Sequence, residues 1–172
     1  VPGYVSDLYS AFYPLSVASP ALRDLNLEDH GLRWTHAPAV VGHPRDAADT
    51  DAPVIHRDVD RTATELDRHH PGDGTRWCDL FEQWQQIKKP LLETLFAPFP
   101  PLRGPLSLLR GLGTAEALRL AHLLLLPAGV MAEHLFDGDA ARLLLLGNAM
   151  PADVPVDAPA SGVLGYLLIM MA

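Results

Sequence analysis

Eight histidines and one cysteine are the first residues to test for chemistry. His69 and His70 are adjacent, so on a helix they diverge by about 100° and do not converge on one ion. His122 and His134 stand on either side of Pro127 and show no H-E-x-x-H spacing. Ordinary surface or half-buried histidines are expected, and no metal site. The acidic run from Asp46 to Asp51 lacks the alternating ligands and closing glutamate of an EF-hand and reads as a solvated turn. Gly72-Asp73-Gly74 has no strand before it and no lysine after it, so it fits a helix-start turn better than a phosphate loop. Ser10-Ala11 and Ser161-Gly162 lack the G-x-S-x-G elbow of a serine nucleophile. Cys78 falls inside a helical pattern with Arg76 as its basic neighbour and reads as a buried structural thiol. As the sole cysteine it excludes an internal disulfide and a cysteine-built zinc site, and it fits a reducing compartment. No acid–base pair stands out, so catalytic residues are unknown at this level.

Composition narrows the partners. The formal charge is −8, and the arginines are scattered, usually with an acid nearby. Phosphate recognition needs clustered basic groups, so nucleic acid is not an expected partner. The longest apolar runs, Leu123 to Ala132 and Val163 to Ala172, are about half the length that spans a bilayer. A soluble, cytoplasmic chain is expected, with contact to a membrane at most peripheral. The sequence begins without methionine and stops inside an apolar run, which reads as an internal piece of a longer protein. On that reading the run from Gly162 to Ala172 covers parts of the parent, or mediates self-association.

The elements that must position these residues follow from periodicity. Ser19-Pro20 suits a helix start, with Leu22 and Leu25 inward. Leu32 to His36, Ala39 to His43 and Pro53 to Arg57 are strand candidates, the last two joined by a polar loop from Pro44 to Asp51. Together they predict a small antiparallel sheet. Asp60 or Thr62 can cap the next helix, with Glu65 completing a capping box. His69 to Gly74 breaks the pattern. A longer helix from about Thr75 to Phe96 places Trp77, Leu80, Phe81, Trp84, Ile87, Leu91, Leu92 and Leu95 at helical spacing, and Pro90 should kink or divide it. After a proline-rich connection, helices are expected over Leu106–Leu112, Ala115–Leu126, Ala128–Phe136 and Asp139–Met150. A loop from Asp153 to Pro159 leads to a last helix over Ser161–Ala172. The fold class is α+β: a small antiparallel sheet followed by a mostly helical layer. The leucine runs, with Leu118, Leu123, Leu124, Leu143 and Leu144 expected to be buried, fit a helical core, an apolar cavity or an interface equally well.

The N-terminal segment Pro2-Gly3-Tyr4-Val5-Ser6-Asp7-Leu8-Tyr9-Ser10-Ala11-Phe12-Tyr13-Pro14-Leu15 adds a different kind of information. It resembles the stretch that follows the dinucleotide-binding unit in phytoene dehydrogenase-like FAD-dependent oxidoreductases, relatives of the carotenoid desaturases. The resemblance continues through Ser19-Pro20, the strands from Leu32 to Arg57, and Asp58-Val59-Asp60-Arg61-Thr62. It resumes at Gly147-Asn148-Ala149-Met150, Asp153-Val154-Pro155 and Gly162 to Ala172. It implies a two-domain flavoprotein, with residues 1–20 as a remnant of the FAD-binding Rossmann-like domain and 21–172 as part of the substrate domain. It also implies hydride transfer from an apolar small-molecule substrate to FAD, and places Asp7, Tyr9 and Ser10 nearest the flavin. From the residues alone, the same three fit strand-end packing.

The glycine-rich loop that holds an FAD pyrophosphate is missing from this sequence, so FAD is expected in the parent protein and not in this chain alone. Other readings remain open. They are a related flavoenzyme with isomerase, saturase or amine-oxidase chemistry, or a non-enzymatic helical binding module for an apolar ligand or partner.

Overall fold

The computed structural model describes residues 12–172, which fall into two compact units, the first ending at His36 and the second spanning Ala37–Ala172. The first unit holds α1 (Pro14–Ala18) and α2 (Pro20–Asp24), followed by a 3-10 turn over Leu27–His30. Ser19 starts α2 as expected: its hydroxyl accepts from the Leu22 N–H at 3.5 Å, with Pro20 in the first turn. Leu25 is not inward but 58% exposed. Leu32–His36 is irregular rather than a strand. Leu32 and Trp34 are half-buried and Arg33 and Thr35 exposed, so the alternation is real. An alternating pattern without a ladder partner does not make a sheet.

The second unit opens with a hairpin of β1 (Ala39–Gly42) and β2 (Val54–His56), antiparallel, with Val41 opposite Ile55 and a bulge between Ala39 and Val41. The connecting turn is held by its own aspartates. Asp46 accepts from Ala48 N–H, and Asp49 accepts from Arg45 N–H and Asp51 N–H. Six helices follow: α3 (Val59–His69), α4 (Asp73–Phe96), α5 (Arg103–Leu125), α6 (Ala128–Leu135), α7 (Asp139–Ala149) and α8 (Gly162–Met171).

Asp58, not Asp60 or Thr62, caps α3, accepting from Arg61 N–H at 3.1 Å. Thr62 sits one turn inside the helix and is fully buried. Its hydroxyl accepts from His56 N–H at 2.9 Å and so ties α3 to the end of β2. In α4 the apolar spacing holds: Trp77, Leu80, Trp84, Ile87 and Leu91 are buried, whereas Leu95 is 49% exposed on the last turn. Pro90 does not divide the helix. The carbonyl of Pro90 accepts from the Thr94 hydroxyl at 2.8 Å, one turn on. The two helices expected over 106–112 and 115–126 are the two arms of α5, separated by a kink at Gly113, where φ is 77° and ψ 166°. That conformation is open essentially to glycine alone.

Burial inverts one expectation about the leucine-rich part. Leu118 is 63% and Leu125 64% exposed, so the second half of α5 is a surface helix anchored by Leu120 and Leu123. Leu144 and Leu145 of α7 are fully buried, with Leu143 half-buried beside them. The C-terminal run is also not an exposed patch. Tyr166, Leu167, Ile169 and Met170 of α8 are at most 4% exposed and belong to this chain's own core, chiefly against α7. Gly165 permits that approach, since a Cβ there would press into the backbone of Leu145, and Gly162 likewise makes room for Met131 of α6. Two aromatic contacts knit the core: Trp77 with Phe136 at 6.3 Å, and Trp84 edge-on to Tyr166 at 6.3 Å.

Candidate functional site

Asp7, Tyr9 and Ser10 lie outside the described residues. The polar groups the structure does bring together cluster at two places in the second unit.

The first is the corner where the hairpin meets α3 and α7. His43, just past β1, lays its ring over Gly147, where a Cβ would collide with the imidazole. Asn148 Nδ2 donates to Leu144 O at 2.8 Å and reaches His43 Nε2 at 3.1 Å. With the amide donating both hydrogens, His43 Nε2 is an acceptor and the ring carries its hydrogen on Nδ1. Burial lowers the His43 pKa, which favours this neutral form. Across the hairpin, His56 is buried, with Nε2 2.8 Å from Glu65 Oε1. Arg61 approaches the same carboxylate oxygen at 3.7 Å. Each imidazole is fixed by one amide or carboxylate partner. Sequence reasoning passed over both, because His43, His56 and Asn148 share no motif spacing. The one local signal is Gly147 beside Asn148, a glycine that leaves room for a ring next to an amide.

The second cluster is a pair of carboxylates at helix starts. Asp67, near the end of α3, accepts from the N–H groups of Gly72 and Gly74 at 2.9 and 2.8 Å. Asp73, at the first turn of α4 and 1% exposed, accepts from the N–H groups of Asp137 and Gly138 at 3.0 and 2.8 Å. Arg76 bridges Asp73 and Asp137, at 3.3 and 2.6 Å. Gly72-Asp73-Gly74 is therefore a helix-start turn, as its sequence suggests. A Cβ at Gly74 would strike the carbonyl of Ala63 and the Asp67 carboxylate, so that glycine serves close helix packing. These helix starts could have cradled a phosphate, but carboxylates already fill them. They do not fit an FAD pyrophosphate.

The remaining candidates are simpler. His69 and His70 diverge: His69 Nδ1 lies 3.7 Å from Asp51, whereas His70 faces Gly138 with its Nδ1 buried and without a hydrogen-bond partner among the described residues. His122 and His134 are exposed. Cys78 is half-buried against the core, and its thiol pKa is raised by burial first and by Asp60, Asp79, Glu82 and Asp67 second. That direction disfavours a reactive thiolate. A groove of about 300 Å³ between α4 and α5 is lined by Asp79, Glu82, Gln83, Gln86, Leu112 and Glu116. Among the described residues, no group of three or more histidine, cysteine or carboxylate side chains is arranged to hold a metal ion, and no helix is long and apolar enough to cross a membrane. No family model, no curated protein and no solved structure matches this chain.

Proposed function

We propose that this chain is part of a phytoene dehydrogenase-like, FAD-dependent oxidoreductase that oxidises or desaturates an apolar substrate by hydride transfer to flavin. The chain's part is a piece of the substrate domain, inactive alone. The supporting observation is that those segments of the resemblance that fall in the second unit, distant in sequence, adjoin one another there. The hairpin over 39–56 meets the start of α3 through Thr62 and His56. It meets the end of α7 through His43, Gly147 and Asn148. Helix α7 in turn carries α8. The less diagnostic helices α4 and α5 pack around that frame. FAD in the parent would supply the redox chemistry, and the apolar helices would exclude water from the reacting C–H bond. None of the described residues supplies a cradle for the cofactor, so no step is assigned to them.

A second reading, a non-enzymatic helical binding module, is favoured by one feature: α8 is buried in this chain's own core, within the compact unit Ala37–Ala172. One experiment separates the two. The complete reading frame is expressed, and the visible spectrum is recorded after gel filtration with FAD, beside that of the 172-residue chain. The flavoenzyme reading expects stoichiometric flavin absorbance in the complete protein, bleached on anaerobic addition of an apolar polyene, and none in the short chain. A complete protein without flavin would sink it in favour of the module.

A further inference from the structure

The second arm of α5 presents two apolar faces. Leu120 and Leu123 turn into the core, and at 100° per residue Leu118, Ala121 and Leu125 lie on the opposite side of the helix. Leu118 is 63% and Leu125 64% exposed, so an uncovered apolar stripe runs along this arm. At its end the stripe meets the loop between α7 and α8. Ala160 N–H donates to the Leu125 carbonyl at 2.9 Å, and Gly129 N–H donates to the Val156 carbonyl at 3.2 Å. The Ser161 hydroxyl, which accepts from Ala128 N–H at 2.8 Å, donates to the same Val156 carbonyl at 3.2 Å. The loop is thereby pinned across the α5–α6 junction, where Val154 and Val156 join the exposed Val130. Ala160 sits among these anchors at φ 62°, a left-handed conformation that a residue other than glycine keeps only where its surroundings fix it. A face held in this way loses little freedom when a partner covers it.

Acids are interleaved with these valines. Asp153 and Asp157 bracket Val154 and Val156, and Glu133 lies one turn beyond Val130 on α6; all three are exposed. From Leu120 to Ala172 the chain has five acids and a single arginine, Arg142. Arg142 is engaged by the Phe136 carbonyl at 3.0 Å and by Asp139 at 3.9 Å, and Asp137 is held by Arg76. Glu133, Asp153 and Asp157 make no ion pair among the described residues. An apolar stripe with an acidic rim complements a helix that carries leucine-like side chains on one face and lysine or arginine beside them. A two-fold contact with a second copy would set the acidic rim against itself, and an anionic bilayer would repel it.

We infer that the face formed by Leu118, Leu125, Val130, Val154 and Val156, with its acidic rim, docks a basic amphipathic helix of a partner protein. The inference is independent of flavin chemistry. It is tested by fluorescence anisotropy of a labelled helical peptide of leucine and lysine, titrated with the 172-residue chain, beside a peptide with glutamate in place of lysine. The lysine peptide should bind, more weakly with added salt, and the glutamate peptide should not. Glu133→Lys/Asp157→Lys should weaken binding at least about tenfold, and Leu118→Ser/Leu125→Ser should abolish it. Asp79→Lys/Glu82→Lys, on the separate groove between α4 and α5, should leave it unchanged. All these positions are exposed, so an unchanged thermal transition checks each variant's fold, and the charge and leucine variants test the face separately. Absence of binding by the lysine peptide would overturn the proposal, as would undiminished binding in either face variant or an equal loss in the groove variant. Concentration-dependent dimerisation in sedimentation velocity that Leu118→Ser/Leu125→Ser removes would also overturn it, and would assign the face to a second copy.

Discussion

The carboxylate of Asp73 accepts a hydrogen bond from the backbone N–H of Gly138, 65 residues further along the chain, at 2.8 Å. It also takes the Asp137 N–H, so one buried side chain satisfies two loop amides at the start of α7. Asp73→Ala would leave both donors without this acceptor, the Gly138 N–H buried and the Asp137 N–H partly so, at a cost of about 2–4 kcal/mol. Asp73→Asn should recover only part, since its Oδ1 can accept one of the two N–H groups and its NH2 can accept neither. Urea denaturation measures this, and an unchanged midpoint would mean that water replaces the carboxylate.

The leucine runs make a paired prediction. Leu144→Ala removes a fully buried side chain of α7 and should destabilise by about 2–5 kcal/mol. Leu118→Ala removes one that is 63% exposed and should change stability by no more than about 0.5 kcal/mol. Similar losses at both sites would contradict the placement of α5 on the surface.

Tyr166 is fully buried beside Trp84, and its hydroxyl has no hydrogen-bond partner among the described residues. Burial pushes the phenol's pKa well above its ordinary value, so it stays neutral. An unpaired buried hydroxyl costs free energy that phenylalanine does not. Tyr166→Phe is therefore expected to raise stability by about 1 kcal/mol, read as a higher thermal midpoint. A loss instead would reveal a bonded hydroxyl.

Acid should loosen the hairpin corner. Burial lowers the His43 pKa from its ordinary 6.5, so below that pH the unfolded chain binds a proton that the folded chain resists. The contribution of this site to stability is complete above pH 6.5 and is lost as the pH falls towards the folded-state pKa. Stability measured in urea between neutral pH and pH about 5 should decline, and His43→Leu should flatten that decline. Equal slopes in the two proteins would assign the effect to other groups. Gly147→Ala gives a second handle, since it displaces the ring and should shift the His43 resonances by NMR.

The helices were legible because their cause is local. The apolar spacing from Trp77 to Leu91, the proline at the start of α2 and the polar turn from Pro44 to Asp51 each act over a few residues. What the sequence hid depends on remote partners. Leu32–His36 alternates like a strand but finds no ladder. Thr62 has the composition of a cap, yet its hydroxyl is engaged by His56. Leu118 and Leu144 belong to similar runs, and only packing against α8 separates them. The carboxylate pairings follow the same logic: Asp67 reaches five and seven residues ahead, within a turn, whereas nothing near Asp73 announces residues 137 and 138. The residues placed near a flavin by resemblance lie in the segment that is not described, so the fold bears on them only through their neighbours.

The Asp73 bond has one further consequence, for hydrogen exchange. The amide protons of Asp137 and Gly138 lie in a loop, where exchange is ordinarily fast, yet each ends on a carboxylate anchored in α4. Their exchange requires the start of α7 to separate from α4, and so samples an opening that fraying of either helix end alone does not produce. These two amides form a built-in gauge of how often that pair of helices parts. Under native conditions they should exchange with the slow core amides around Leu144, and Asp73→Ala should move them, before any others, to the fast class.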